Sequence, residues 1–469
     1  MPYLNVAEVE SVLQLAAAGP NSGFAQLITL PHRTWEGRQT RAIRISAELS
    51  ASRPGVYLIG GVHAREWGSP DILVSFTERL LEAYRTGAGI ELPGRSFAAA
   101  DVQRIVTGLD ILVFPQVNPD GRQHSMAPDG DEMWRKNRRP APQGSPCAGV
   151  DVNRNYDWLW DFPHHFHPSA DIANSTRPCD STYIGSAAFS EPETRNVAWI
   201  LDNTPGIRFF VDVHSFSELV LYPWGDDDNQ NSTPSMNFRN ASHDGQRGLL
   251  EATHGPAANA YREYITLSDE RALVELAQRM QQAIEAVNGR RYTVQQGAAL
   301  YPTAGTSEDY AYARHLVDPS RPKIYPFVIE WGQQRASLAE SFHPPYAEMV
   351  QIIDECVAGL LEFCLAALDQ LMAERLDSVD PGKWAQLVEI LFGVTSDGGG
   401  VVLGSDGRPV PIGPWDPLRG LAPAKQQLLA GLVATRLAAL VDSPAARQAL
   451  HQAGLDAVAD AEARLGDGG

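Results

Sequence analysis

The chain has 469 residues, of which 43% are hydrophobic and 20% charged, a composition typical of a folded globular protein rather than a disordered one. It carries 57 acidic and 38 basic residues, and its formal net charge of -19 argues against a nucleic-acid partner. The length allows one large domain and a smaller one.

The first ten residues contain no basic start and no long apolar core, so we expect no secretory signal. No uninterrupted apolar run approaches the ~20 residues that a membrane-spanning helix needs. We therefore expect no membrane partner and, by default, a cytoplasmic location.

Short apolar runs typical of buried strands alternate with amphipathic stretches typical of helices. The predicted strands are residues 56–59, 111–114, 209–213, 219–222 and 327–330, and the predicted helices are residues 72–84, 192–202, 268–287 and 346–373. This alternation predicts an α/β domain with a central mixed, largely parallel β-sheet flanked by helices. A long polar insertion over residues 226–256 is expected to overhang the site or to be mobile.

A change of composition near residue 377 predicts a domain boundary. The helix predicted over residues 346–373 is followed by a proline- and glycine-containing stretch at 378–382, and a glycine-rich turn lies at 397–400. The remainder is rich in alanine and predicts helix, notably over 422–440. We therefore predict a large domain over residues 1–376 and a small, mostly helical accessory module over 377–469.

Two histidines and one glutamate follow predicted strands. His63 and Glu66 come directly after the strand at 56–59, and His214 follows the strand at 209–213. Ligands bind at the carboxyl ends of strands in such sheets. Two imidazoles and a carboxylate form a ligand set for a catalytic zinc that keeps a fourth position open. A histidine at a strand end more often only forms hydrogen bonds, so the other motifs must decide between these interpretations.

Further motifs follow in a fixed order along the chain. They are NPDG at 118–121, MWRKNR at 133–138, GVDVNRNY at 149–156, HSFS at 214–217, YPTAGTSEDY at 301–310 and VIEWG at 328–332. This ordered set resembles the M14 zinc metallocarboxypeptidases, the family of carboxypeptidases A and B, over roughly residues 3–372.

The resemblance implies one Zn²⁺ per chain, bound by His63, Glu66 and His214. Asp151 matches the carboxylate that accepts a hydrogen bond from His63 and fixes the tautomer of this ligand. Each residue also has an ordinary structural interpretation, but the motifs occur together and in order.

Two further residues match the catalytic groups of the family. Glu330 matches the general base, which takes a proton from the attacking water and returns it to the leaving amine. Arg135 matches the cation that stabilises the oxyanion of the tetrahedral intermediate. Alternatively, Arg135 is a partner of surface acids and Glu330 caps a helix or pairs with an arginine.

Three residues match the group that holds the terminal carboxylate of the substrate, namely Asn153, Arg154 and Tyr301. An arginine fork suits a carboxylate because two parallel hydrogen bonds form between them. Arg65 adds positive charge nearby. The resemblance therefore implies an exopeptidase whose partners are the C-termini of peptides or proteins.

Glu308 aligns with the base of the pocket for the C-terminal side chain. An acidic residue there implies a preference for Lys or Arg, because an apolar side chain would leave the carboxylate desolvated and unpaired. Leu221, Gly225 and Thr303 align with the pocket walls. In the alternative arrangement, Glu308 turns aside to pair with a base such as Arg314.

The sequence leaves other functions and the oligomeric state open. A peptidoglycan or amide hydrolase of the same scaffold would use Glu308 to hold a diamino-acid terminus. A non-catalytic module would only bind C-termini, although family members of that kind usually lack a metal ligand or the base.

The four cysteines bear on the location of the protein. Cys147 and Cys179 flank a loop-rich segment and match a disulfide of the digestive members of the family. If this disulfide forms, a secreted protein is expected. Cys356 and Cys364 lie in a helical pattern and are expected to be buried free thiols.

The histidine-rich stretch at residues 164–167 looks like a metal cluster but lies in a proline-containing loop. We expect a solvent-facing loop that binds metal only adventitiously.

Overall fold

The computed structural model describes residues 3–255 and 261–377, together with the short strands at 402–403 and 409–410. The chain divides into two compact units, Met1–Leu368 and Asp369–Gly469. In the second unit Val402–Leu403 pairs antiparallel with Pro409–Val410. The turn predicted at 397–400 and the helix predicted at 422–440 lie outside the described residues.

Helices of very different length surround the sheet. They are α1 Val6–Ala16, α2 Gly68–Thr86, α3 Ala99–Gly108, α4 Pro119–Met126, α5 Phe162–His165, α6 Pro192–Asn203, α7 Glu251–His254, α8 Leu267–Asn288, α9 Ser307–Val317, α10 Leu338–Phe342 and α11 Tyr346–Asp377. Short 3₁₀ helices lie at Gly19–Asn21, Val152–Arg154, Ala241–His243 and Gly297–Ala299.

Eight strands form the central sheet in the order β1-β2-β6-β3-β7-β12-β8-β11. Their bounds are β1 Ala25–Thr29, β2 Arg41–Ile45, β3 Gly55–Gly60, β6 Asp110–Phe114, β7 Ile207–Ser215, β8 Leu219–Tyr222, β11 Thr293–Gln296 and β12 Tyr325–Trp331. The two-stranded pairs are β4 Ile90–Leu92 with β5 Arg95–Phe97, and β9 Asn229–Gln230 with β10 Glu263–Tyr264. In the central sheet, β6, β3, β7 and β12 run parallel to one another, and β8 runs parallel to β11. Antiparallel pairs join β1 to β2, β2 to β6, and β12 to β8.

The predicted fold, a mixed sheet flanked by helices, is confirmed. All five predicted strands are present, and so are the four helices predicted between residues 72 and 373, with ends that differ by at most four residues. The sequence did not predict β1, β2 and β11, which lie at the ends of the strand order. β1 and β2 each carry two polar residues among their apolar ones, and three of the four residues of β11 are polar, so these strands lack the continuous apolar run of a central strand.

The three central strands β3, β7 and β12 bring their carboxyl ends to one edge of the sheet. All side chains of β3 are buried, and β7 is buried except for Arg208. Such near-continuous burial is typical of parallel strands that are covered on both faces. In the parallel register of β7 and β12, His214 lies opposite Glu330. The fold therefore places a candidate ligand and the candidate base side by side.

Among the described residues one helical stretch, Tyr346–Glu374, is long and apolar enough to cross a membrane. Of the most apolar 18 residues of this stretch, 72% are buried inside the protein. Burial of this extent is typical of the core helix of a folded domain.

The cysteines behave as two different pairs. Cys147 and Cys179 form a disulfide that closes a separation of 32 residues, with their Cα atoms 5.0 Å apart. Cys356 and Cys364 are free and fully buried in α11, where burial raises the pKa of both thiols above its ordinary value. Both expectations for the cysteines are confirmed.

The insertion at residues 226–255 is anchored to the domain by buried residues. Asp226, Asp227 and Arg247 have no exposed surface. The Gly248 amide donates to an Asp227 carboxylate oxygen at 2.7 Å. Mobility, one of the two alternatives expected for this insertion, is wrong for these residues, because buried charged groups hold them against the domain.

Candidate active site

The turn after β3 aims His63 and Glu66 at one point. Gly61 occupies the left-handed region at a φ of 62°, where residues with a side chain are strained. The amide of Glu66 then donates to the carbonyl of His63 at 3.2 Å, which closes a tight turn before α2 begins. Both side chains are buried, with exposed fractions of 4% for His63 and 1% for Glu66.

His214 completes the cluster from β7. Its Nδ1 lies 3.1 Å from Nδ1 of His63 and 3.0 Å from Oε2 of Glu66. Nδ1 of His63 lies 2.7 Å from Oε1 of Glu66. Two ring nitrogens and a carboxylate therefore converge on one small volume, and all three side chains are buried.

A carboxylate lies behind the ring of each histidine. Nε2 of His63 lies 3.1 Å from Asp151, and Nε2 of His214 lies 3.0 Å from Asp212. A proton on Nε2 leaves Nδ1 as the lone-pair donor, which is the tautomer that a metal ligand needs. Both Nδ1 atoms point into the same volume, so the arrangement fits a metal ion with two imidazole ligands and one carboxylate ligand.

Sequence reasoning missed Asp212. This residue lies inside the apolar run 209–213, has no exposed surface, and accepts a hydrogen bond from Ser307 Oγ at 2.7 Å. A charged residue within a fully buried strand rarely occurs without a partner. That pattern could have identified it.

The charges around the cluster also favour a cation. Burial opposes the charged form of His214, yet Asp212 and Glu66 raise the pKa of His214 well above its ordinary value. In the same way, burial would raise the pKa of Asp151, but Arg135 and His63 hold it well below its usual range. Closely spaced buried carboxylates call for positive charge between them, which a divalent ion would supply.

Glu330 reaches the same cleft from β12 and remains partly exposed to it. Burial raises the pKa of the Glu330 carboxyl to about 8, and the charge of Glu66 adds to this rise while His214 and Arg135 oppose it. A carboxyl that gains and loses its proton near neutral pH is suited to transfer protons in both directions.

Arg135 is fixed by Asp151, whose Oδ2 accepts a hydrogen bond from Arg135 Nε at 2.9 Å. The backbone carbonyl of Arg135 also accepts from the amide of Ala64, beside His63. Asp151 therefore contacts His63 with one oxygen and Arg135 with the other. This bridge holds the guanidinium next to the metal-binding cluster.

Asn153 and Arg154 lie in the 3₁₀ turn Val152–Arg154, which Asp151 caps by accepting from the Asn153 amide at 3.0 Å. Arg154 is 3% exposed, and its Nε and Nη1 donate to the carbonyls of Ala173 and Asn153. With two of its three nitrogens bound to the backbone, the guanidinium has a fixed orientation.

The loop that carries Tyr301 passes very close to this turn. Gly305 has a φ of 69°, and a Cβ atom there would lie 2.5 Å from the carbonyl oxygen of Arg154. Only glycine permits that approach. The amide of Ser307 donates to the Asn153 side chain at 2.8 Å, which joins the two segments.

Tyr301 is 40% exposed, and no hydrogen bond joins it to Asn153 or Arg154 in the described part of the chain. Arg65 stacks over the ring of Phe342 at 4.3 Å, and burial and the like charge of Arg135 lower the pKa of Arg65 to about 10. Tyr301 itself stands apart from Asn153 and Arg154 in the open cleft.

Glu308 lies in the first turn of α9, next to Asp309, which contacts Gly225, and Gly225 in turn contacts Thr303. The Gly225 amide donates to Asp309, and the Thr303 amide donates to the carbonyl of Gly225 at 2.7 Å. Glu308 is half-buried, and burial and the charge of Asp212 raise its pKa. Within the described residues it forms no ion pair.

Arg314 does not pair with Glu308. Its guanidinium donates to Asp202 at 2.7 Å and to the carbonyl of Leu201. The alternative in which Glu308 turns aside to Arg314 is therefore wrong, because Arg314 is already paired on the other side of α9.

The structure thus joins Asp151, Arg135 and the three candidate ligands by direct contacts, and joins Asn153 and Arg154 to the start of α9. Glu330 lies beside His214 in the sheet, whereas Tyr301 stands apart in the open cleft. The chemical roles of these residues remain predictions.

Comparisons with known proteins agree with this geometry. The family model described as zinc carboxypeptidase matches residues 13–359. Carboxypeptidase B of Homo sapiens is 28% identical over 320 residues, which cover 66% of this chain and 61% of that protein. Carboxypeptidase B of Helicoverpa zea is 30% identical over 233 residues, which cover 48% of each protein. The chain spans about half to three-fifths of the length of these curated relatives.

Solved structures share the fold. Carboxypeptidase A from Helicoverpa armigera superposes with a TM-score of 0.58 and 22% identity, covering 78% of this chain and 74% of that one. Thrombin-activatable fibrinolysis inhibitor superposes with a TM-score of 0.57 and 19% identity, again covering 78% and 74%. At these identities the likeness concerns the fold alone.

Proposed function

Because this chain belongs to the zinc carboxypeptidase family, we propose that it is a zinc-dependent metallocarboxypeptidase that hydrolyses the C-terminal peptide bond of peptides or proteins. The observation that carries this proposal is the convergence of His63 Nδ1, His214 Nδ1 and the Glu66 carboxylate within a buried cluster. Glu330 next to that cluster supplies the proton acceptor.

Zinc, bound by His63, Glu66 and His214, would lower the pKa of water toward ~7 and polarise the scissile carbonyl. Glu330 takes the proton from the attacking water and later delivers it to the leaving amine. Arg135, oriented by Asp151, stabilises the negative charge that develops on the carbonyl oxygen.

Arg154 makes the enzyme an exopeptidase in this proposal. Its guanidinium is buried and fixed by backbone carbonyls, so its remaining nitrogen and the Asn153 amide group can hold the terminal carboxylate of the substrate. Tyr301 lies in the open cleft. A rotation of its side chain would bring the ring over the bound C-terminal end of the substrate. An internal peptide bond offers no carboxylate at this position and is therefore rejected.

We propose further that the enzyme prefers Lys or Arg at the C-terminus of its substrate. The support is Glu308, a half-buried carboxylate without an ion-pair partner in the described part of the chain. A cationic side chain would pair with it, whereas an apolar side chain would leave it desolvated. The same carboxylate suits a diamino-acid terminus, which is the alternative substrate.

A panel of blocked dipeptides ending in Arg, Lys, Phe or a diamino acid, each assayed with and without a zinc chelator, tests these proposals. We expect hydrolysis that the chelator abolishes, with the highest kcat/KM for the Arg and Lys substrates. Faster cleavage of the Phe substrate would overturn the basic preference and leave the zinc mechanism intact. Binding of all four peptides without cleavage would instead indicate a module that only binds C-termini.

We also propose that the protein works in an oxidising compartment, since the Cys147–Cys179 disulfide persists there.

Residues 1–376 would form the catalytic domain and residues 377–469 an accessory module. Limited proteolysis tests this division, because cleavage near residue 377 should release a catalytic domain that remains active.

A further inference from the structure

A second group of metal-binding side chains lies outside the active site. His164 Nε2 lies 3.1 Å from one oxygen of Asp244, and His165 Nδ1 lies 2.8 Å from the other. Their potential ligand atoms all lie within 4.8 Å of one another. His164 is exposed, while His165 and Asp244 are half-buried. The sequence predicted a plain loop here, but residues 162–165 form the short helix α5, which turns both rings toward Asp244.

Backbone contacts hold the two segments of this group together. The amide of Gly245 donates to the carbonyl of His165 at 2.9 Å, and the amide of His167 donates to the carbonyl of Arg247 at 2.9 Å. Arg247 is fully buried and donates to Asp244 at 3.0 Å, which fixes the carboxylate. The three side chains are therefore presented by an anchored scaffold rather than by a free loop.

The neighbouring histidines are engaged elsewhere. His167 Nδ1 accepts a hydrogen bond from the amide of Ser169 at 3.0 Å, and His243 Nδ1 faces the side chain of Gln246 at 3.3 Å. Only His164 and His165, of these four histidines, direct ring nitrogens at Asp244. This selectivity distinguishes the group from a merely histidine-rich surface.

We propose that His164, His165 and Asp244 bind a second divalent transition-metal ion, zinc or an ion of similar preference. Two imidazoles and a carboxylate suit Zn²⁺, Cu²⁺, Ni²⁺ and Co²⁺ rather than Mg²⁺ or Ca²⁺, which prefer ligand sets made only of oxygen. The exposed side of His164 leaves room for water to complete the coordination. A net charge of -19 on the chain favours the approach of a cation.

The charge of Arg247 opposes the ion but does not remove the ligands. Arg247 also lies 3.8 Å from Asp226. It donates to only one oxygen of Asp244, whereas a carboxylate oxygen offers two acceptor positions. The ion would replace the two direct contacts between the imidazoles and the carboxylate and would link α5 to the segment that follows Ala241–His243.

Metal counting on the full-length protein tests this proposal without reference to catalysis. The protein is stripped with a chelator, loaded with zinc, passed through a gel-filtration column in zinc-free buffer and analysed for bound metal. We expect two zinc ions per chain in the unaltered protein and one in the variant with His164→Gln and His165→Gln. Asp244→Asn, which retains an acceptor for Arg247, should also reduce the content to one.

Three controls assign the second ion. His167→Gln and His243→Gln should each retain two ions, and the paired substitution His63→Gln with His214→Gln should retain the ion held by α5. A content of one zinc ion per chain in both the unaltered protein and the His164/His165 variant would overturn the proposal. Loss of the second ion during gel filtration would also overturn it, because such a loss indicates an adventitious ion only. If the active site bound no zinc, the content would instead fall from one ion to none in the His164/His165 variant, so the two proposals fail in different ways.

Discussion

The candidate metal-binding cluster and the proposed substrate-binding side of the cleft are built in different ways. His63, Glu66 and His214 leave the ends of two central strands, are at most 4% exposed, and contact one another at 2.7–3.1 Å. Tyr301 and Glu308 come from the loop before α9 and its first turn, where Tyr301 is 40% exposed and Glu308 half-buried. The two sides meet at Asp151 and Arg135.

This difference separates the demands of chemistry from those of recognition. Catalysis requires groups held in one geometry, and strand ends in a covered sheet supply it. Recognition requires a side that accepts an incoming chain end, so its residues lie on loops that leave room for the ligand. We therefore expect substitutions on the metal side to reduce turnover or metal binding, and substitutions on the loop side to change KM or preference.

Glu330→Gln should have the largest effect and concerns the metal side. The amide cannot accept the proton of the attacking water, so kcat should fall by about 10²–10⁴-fold. Because Glu330 is not among the candidate ligands, the zinc content should not change. Steady-state kinetics and metal analysis measure both quantities.

The matched control is Glu91→Gln on the exposed position of β4, which should keep full activity. Undiminished turnover of the Glu330→Gln protein would contradict the proposed role of this carboxylate. Loss of zinc together with activity would show instead that Glu330 belongs to the metal-binding group.

Glu308→Leu tests the loop side through substrate preference. Loss of one partner of a desolvated charge pair costs about 2–5 kcal/mol, so the ratio of kcat/KM for Arg over Phe substrates should fall by at least about 30-fold. Glu308→Gln should give a smaller fall because it keeps a polar group of the same size. An exposed control, Glu275→Leu in α8, should keep the original ratio. Preferences unchanged in Glu308→Leu would remove this residue from the pocket.

Removing the disulfide tests how the loop side is supported. The segment between Cys147 and Cys179 carries Asp151, Asn153 and Arg154, so its cross-link constrains part of both sides. Cys147→Ser with Cys179→Ser should lower the free energy of unfolding by about 2–4 kcal/mol, measured by denaturant titration. The free cysteines of α11 provide the control, since Cys364→Ala leaves this cross-link intact. Equal stability with and without the disulfide would show that hydrogen bonds alone hold the segment.

The difference between buried strand ends and open loops also decided how much of the fold and of the candidate site the sequence could predict. The central strands were predicted because their apolar runs are continuous, and the ligands because two histidines follow those runs. Polar edge strands such as β11 gave no comparable pattern. Strand alternation places Asp212 and His214 on the same face of β7, but only the structure shows that the carboxylate lies 3.0 Å from Nε2 of that ring. The same holds for Arg314, whose partner Asp202 lies 112 residues away in the chain.

Asp151→Asn should have the smallest effect and tests the bridge between the two sides. Asp151 accepts from His63 with one oxygen and from Arg135 with the other, so an amide there would place one NH₂ group against a donor. Loss of such an orienting carboxylate typically weakens metal binding by about 10–100-fold, which a competitive zinc titration measures. Arg154→Lys, on the recognition side, should instead raise KM and leave zinc affinity unchanged, and Asp171→Asn at an exposed position should change neither. If Asp151→Asn raised only KM, Asp151 would serve recognition, and the boundary between the two regions would lie between this residue and His63.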